Sequence, residues 1–182
     1  MINIRFRDFT LACATGLPAA HGPFIKNARL VDQFELHSAE GEFCFVAAGK
    51  GDEWPRLVVE QRYSPSGVGF EPGLLLVEET GVLFVGAGER LLAYDLAEPR
   101  RLWVDTAAEG FWSWNRHDDV VLMAAELEFA AWSIEGQKLW ARFVEPPWDY
   151  TLNGGTVRVD VMGTVTMISL STGAEITDPG QD

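Results

Sequence analysis

The chain is short of base. Its 182 residues carry 14 lysines and arginines against 27 aspartates and glutamates, a formal net charge of −13. A field of that sign repels phosphate backbones and anionic headgroups, so neither nucleic acid nor a membrane surface is an expected partner. Cysteine is scarce as well, with only Cys13 and Cys44. Two residues without a framework of spacings read as reduced thiols rather than as a disulfide scaffold. Long apolar runs are missing, since nothing approaches the roughly 20 residues of a membrane-spanning helix. Arg5, Arg7 and Asp8 interrupt the stretch of about 7–15 apolar residues that a secretory leader needs, although Leu11-Ala12-Cys13 and Leu17-Pro18-Ala19-Ala20 loosely fit cleavage sites. The expected location is the cytoplasm.

Catalytic and cofactor signatures are also sparse. No Gly-x-Ser-x-Gly stands in the chain, and neither cysteine has an electropositive neighbourhood in sequence. Gly86-Ala-Gly88 follows a strand-like run, but Leu91 occupies the third glycine position and another strand-like run follows. A dinucleotide loop needs a helix N-terminus there, so the segment reads as a hairpin turn. His117-Asp118-Asp119 clusters metal-ligand types, yet His21 and His37 have no partner at ligand spacing, and the triplet reads as a solvated turn. The expectation is a protein that is not an enzyme and takes no cofactor and no metal.

What the chain does have is a globular composition, 47% hydrophobic and 23% charged. A chain of this length buries roughly 70% of its unfolded surface and needs no staple. From residue 42 onward, short β-branched and aromatic runs alternate with Gly, Pro, Asp and Ser, the texture of an all-β domain. Eleven strands are predicted, at residues 43–47, 57–63, 73–78, 82–86, 90–95, 101–105, 120–124, 129–134, 138–143, 156–161 and 164–169. Glycine-bearing gaps such as Glu135-Gly136, Asn153-Gly154-Gly155 and Met162-Gly163 supply turn chemistry. Glu145-Pro-Pro-Trp148 must lie between strands or at an edge. Residues 1–40 read as an irregular segment with one short helix over 27–36, on the spacing of Ala28, Leu30, Val31 and Phe34.

The second half repeats. Residues 83–96 match residues 121–134 at an offset of 38, Leu102-Trp103 matches Leu139-Trp140 at 37, and Trp112 and Trp114 match Trp148 and Tyr150 at 36. A third, truncated copy places Ile168-Ser-Leu170 36 residues after Trp132-Ser-Ile134. A period near 37 built of strands and hairpins is that of a blade. The single domain then divides into the irregular 1–40, a divergent β unit at 41–80, and blade-like repeats at 81–118, 119–155 and 156–176. Over residues 82–173 the pattern Val85-Gly86, Leu92-Ala93-Tyr94-Asp95-Leu96 and Leu102-Trp103 resembles the repeat of quinoprotein-type (PQQ-like) β-propellers. The resemblance implies that Trp103 and Trp140 wedge between neighbouring sheets, and it brings over none of that family's cofactor-binding residues. Ser133 and Ser169 depart from it where Asp95 conforms. Fewer than five units fit in the chain, so the expected fold is an all-β, irregular or incomplete propeller-like stack of antiparallel sheets, with a closed four- or five-bladed ring as the alternative. An open stack leaves edges that residues 1–40, a partner or a second copy would cover.

One constellation draws a binding reading: Trp112, Trp114, Trp148 and Tyr150 with Asp118, Glu126, Glu128 and Asp149, with Glu145 nearby. Recurrence at the repeat period fits packing between blades equally well, while Trp and Tyr are also favoured at interface hot spots. Glu126 and Glu128 alternate with Leu127 and Phe129, which puts both carboxylates on one strand face, either a plain solvent face or an acidic surface that steers a basic partner. The expected function is a protein-binding domain for a basic protein, in its narrowest form an inhibitor or immunity protein that neutralises a cationic toxin domain. The rival is a carbohydrate-binding or carbohydrate-cleaving protein that uses the aromatic–carboxylate cluster.

Overall fold

The structure, a computed structural model, describes residues 1–34, 41–64 and 71–176. In chain order its elements are β1 (Ile2–Phe6), β2 (Phe9–Thr15), α1 (His21–Asn27), β3 (Leu30–Phe34), β4 (Glu42–Lys50) and β5 (Glu53–Tyr63), followed by β6 (Gly73–Val77), β7 (Val82–Ala87), β8 (Arg90–Asp95) and β9 (Arg100–Thr106). Then come β10 (Phe111–His117), β11 (Val120–Ala125), β12 (Glu128–Ser133), β13 (Lys138–Phe143), β14 (Trp148–Asn153), β15 (Thr156–Val161) and β16 (Thr164–Ser169). They form four sheets, ordered β1-β2-β4-β5-β3, β6-β7-β8-β9, β10-β11-β12-β13 and β14-β15-β16. The second to fourth are sequential antiparallel meanders, the shape of propeller blades. The first is not, because β3 joins β5 in parallel.

Residues 1–34 are therefore more regular than their punctuation suggests. The helix expected over 27–36 lies earlier, at His21–Asn27, and Leu30–Phe34 is a strand; Leu36 falls outside the described residues. The three-and-one spacing misled because β3 is used on both faces. Leu30 and Phe34 pack into the core toward the second sheet, while Val31 packs under α1. Strands β1, β2, β10 and β14 were also not foreseen. The β10 segment reads Phe-Trp-Ser-Trp-Asn-Arg-His, and its alternation is broken by a bulge.

Three apolar clusters fill the three gaps between consecutive sheets, and a fourth sits under α1. Strand β7 shows why its sequence is an unbroken apolar run: Leu83 and Val85 face the first sheet, Val82 and Phe84 the third. Burial on both faces removes the usual polar alternation. The last sheet restores it. Val157 and Val159 face the third sheet, whereas Thr156, Arg158 and Asp160 stand 36 residues after Val120, Leu122 and Ala124 and face outward. Among the described residues no core cluster joins the first sheet to the last, and the stack is open.

The inter-sheet wedges lie where the resemblance implies. Trp103 Nε1 donates to Gly136 O at 2.6 Å and its ring stacks on Trp132 at 5.5 Å, while Trp140 Nε1 donates to Leu170 O at 2.8 Å. At the other seam, Asp32 on β3 accepts from the buried Tyr94 hydroxyl at 2.9 Å and takes Arg101 through both oxygens at 2.8 and 2.9 Å. The glycine of Val85-Gly86 has a packing reason. Gly73 and Gly86 pair across β6 and β7, and the Phe111 ring from the next sheet lies over both, so an added Cβ would stand 2.7 and 2.6 Å from ring carbons. Gly86→Ala is expected to destabilise by about 1–3 kcal/mol, because a filled core yields only by displacing a ring. Urea unfolding checks this, and an unchanged midpoint would show that Phe111 is free to move.

Candidate functional site

The structure divides the eight predicted site residues into groups. Trp112 and Trp148 stack at 5.4 Å with ring planes 16° apart, and Tyr150 lies 6.2 Å from Trp148. Glu126 joins them, since its Oε2 accepts from Trp112 Nε1 at 3.2 Å. Phe129 supports the group from the third sheet, 5.2 Å from Trp148 and 4.7 Å from Tyr150. Trp148 is buried, and its Nε1 points at Ala125 O, 3.2 Å away. Trp112 is half-buried at the rim. Burial pushes the Tyr150 phenol above its usual pKa, against an opposing hydrogen bond with Asn115.

Trp114 does not belong with them. The register of β10 on β11 shifts between Phe111 and Ser113, and that extra residue turns Trp112 toward the fourth sheet and Trp114 toward the second. There Trp114 packs against Phe84, Phe111 and Trp132 at 5.3–5.4 Å. Asp118 is exposed at the far end of β10, about 20 Å along a strand rising about 3.4 Å per residue. Asp149 alternates with Trp148 and Tyr150 on β14, so it faces outward, where its Oδ1 accepts from Tyr150 N at 2.7 Å.

The expectation that Glu126 and Glu128 share one strand face fails as well. Glu126 lies in the turn before β12 and reaches Trp112, whereas Glu128 opens β12 on the side of the second sheet. There it accepts from Ala108 N at 3.2 Å and lies 3.5 Å from Lys138 Nζ. A turn has no strand alternation, so counting by twos across it gives the wrong face.

What the structure adds is a rim. Successive turns are tied edge to edge by backbone hydrogen bonds: Ala107 N to Glu89 O, Glu126 N to Gly110 O, Leu127 N to Ala108 O, Val144 N to Leu127 O and Met162 N to Pro147 O. Along this line Glu89, Glu109 and Glu145 are exposed and have no ion-pair partner among the described residues, with Glu126 and Trp112 between them. Glu89 and Glu109 were not singled out in the sequence, although each sits beside a turn glycine, Gly88 or Gly110. Glu109 also holds a left-handed φ of 59°, a conformation that costs a non-glycine residue about 1–2 kcal/mol. Next to the rim, on the outward face of the last sheet, a shallow depression of about 320 Å³ is lined by residues that include Trp148, Asp149, Tyr150, Arg158 and Asp160.

The class is thus an all-β, propeller-like stack of antiparallel sheets with an acidic, aromatic rim. No family model matches the chain, and no curated protein does. Among solved structures it is similar to BamB from Moraxella catarrhalis, at 14% identity and a TM-score of 0.49, over 97% of this chain and 51% of that one. It is also similar to the computationally designed Ika8 protein, at 15% identity and a TM-score of 0.45, over 75% of this chain and 45% of that one. Hsv2 from Kluyveromyces lactis matches at 11% identity and a TM-score of 0.34, over 58% of this chain and 35% of that one. The chain spans about half the length of the first two or less.

Proposed function

We propose that this is a protein-binding domain without catalytic activity, whose acidic rim engages a basic protein. The observation that carries the reading is the row of unpaired glutamates on successive turns, Glu89, Glu109 and Glu145, around the Trp112–Trp148 stack. Carboxylates in such a row steer a cationic surface into contact. The left-handed Glu109 supports the same reading, because a glycine would fill that backbone position at less cost. In its narrowest form the partner is a cationic toxin domain and this chain its inhibitor in the cytoplasm. We also read the repeat of residues 82–173 as a quinoprotein-type blade, on its Val-Gly and Leu-Trp segments.

Affinity capture from the native extract at low salt, with elution by salt and identification by mass spectrometry, supplies the partner. Titration of that purified protein then measures the complex. A single basic protein bound in a salt-sensitive complex supports the reading; binding that is indifferent to salt contradicts it. A second reading rests on the depression beside Trp148: Asp149, Asp160, Arg158 and Thr151 at an aromatic edge have the polar chemistry of a sugar site. Glycan-dependent tryptophan quenching that is lost in Asp160→Asn would favour it.

A further inference from the structure

Among the described residues, the outer face of the first sheet is only partly covered. Helix α1 lays Phe24 over Phe45, Ala47 and Val58. At its first residue, His21, the face opens into a cleft of about 430 Å³ lined by Leu17, His21, Gln33, Phe43, Glu60 and Arg62, with Gly16 at the edge. Glu60 lies at the floor, 1% exposed. A carboxylate taken that far out of water persists only with partners. His21 Nε2 holds one of its oxygens, and Gln33 Nε2 donates to the other at 2.7 Å. The pairing fixes the imidazole through Nε2 and leaves Nδ1 as its remaining nitrogen.

Arg62 stands two residues along β5 on the same face, with its guanidinium 5.9 Å from the Phe43 ring centre and Nη1 donating to Gly41 O at 3.1 Å. Among the described residues no carboxylate pairs with it. Nine other lysines and arginines are ion-paired with carboxylates among the described residues, whereas Arg62 faces a cleft without one. The acid on its own face, Glu60, is already committed to His21 and Gln33. Among the described residues, the cleft therefore presents a positive group without a counter-anion beside the apolar surfaces of Phe43 and Leu17.

We propose that this cleft binds a small organic carboxylate. A guanidinium offers paired N–H donors that match the two oxygens of a carboxylate, a stronger contact than neutral hydrogen bonds. The apolar body of the ligand packs on Phe43 and Leu17, and the volume falls in the range of small-molecule sites, about 300–1,000 Å³. A monoanion suits one unneutralised guanidinium better than a multiply charged phosphate, because the surrounding field is that of an acidic protein. The site lies on the first sheet and the acidic rim on the later ones, so either stands without the other.

The probes are benzoate, phenylacetate and hexanoate, with benzamide as the uncharged control and inorganic phosphate as the apolar-free one. Calorimetry and thermal melts of the full chain are expected to show one saturable site for a carboxylate, no comparable binding of benzamide, and NMR shifts centred on Leu17 and Phe43. Arg62→Gln is expected to leave the melting temperature of the free protein in place and to weaken carboxylate binding by about tenfold or more, with Arg62→Lys in between. Equal binding of benzoate and benzamide, undiminished binding by Arg62→Gln, or no binding of any of the three carboxylates below about 10 mM would each overturn the proposal. A drop in the melting temperature of free Arg62→Gln would assign Arg62 to structure instead.

Discussion

Trp140→Ala is expected to lower stability by about 3–5 kcal/mol, as truncation of a large buried aromatic does. Trp140 is only 8% exposed, meets Phe129 edge-on at 5.3 Å, and hydrogen-bonds the carbonyl of Leu170 beyond the last strand. Its ring also lies so close to Gly173 that an added Cβ there would stand 2.7 Å from it. One side chain thus fills the third gap and pins the chain that follows β16. Urea unfolding at a fixed wavelength outside the tryptophan band measures the loss, and amide exchange locates it. Protection should fall first in β14–β16, whose packing onto the third sheet depends on that gap. A loss below about 1 kcal/mol would mean the last sheet is held by its other contacts, such as the Arg142–Glu175 ion pair at 2.6 Å.

Reversing Glu109 and Glu145 to lysine is expected to slow association with the proposed basic partner by about 10–100-fold at low salt, and by much less at high salt, where screening removes the steering field. Both side chains are exposed and unpaired among the described residues, so stability should stay within about 0.5 kcal/mol per site. Stopped-flow or surface-resonance rates across a salt series measure the effect, with a thermal melt as the control. Glu109→Gly separates the two properties further. It relieves the left-handed backbone and should raise stability slightly, while removing one steering charge. Association rates equal to the parent's in both variants would sink the assignment of the rim. Glu126→Lys is less informative, because that carboxylate also holds Trp112 Nε1.

Much of the fold was legible because local chemistry and tertiary structure agree there. The runs Val82–Ala87 and Val120–Ala125 are apolar throughout because both of their faces are covered, and the repeat of Leu-Trp at 37 residues follows from one wedge in each of the second and third sheet gaps. The N-terminal region was not legible for the opposite reason. Leu30–Phe34 has five residues and serves two faces, and its pairing to β5 is parallel and distant in sequence. Among the candidate site residues, Trp112, Trp148, Tyr150 and Glu126 come together. Trp114, Asp118, Glu128 and Asp149 do not, because a bulge, a strand's length, a turn and strand alternation respectively carry them elsewhere.

Sequence alone determined the β class, the repeat near 37 residues and the acidic charge. Those depend on composition and on contacts that recur at a fixed spacing, and both are written in one dimension. The tertiary structure decided which faces the side chains share, that the stack is open among the described residues, and that Glu89, Glu109 and Glu145 line one rim. It also decided that His21, Gln33, Glu60 and Arg62, 41 positions apart at the extremes, surround a single cleft. A face is set by register, and one extra residue in β10 is enough to reverse it. A cleft is set by long-range pairing, and no local spacing encodes a parallel strand that arrives from elsewhere in the chain.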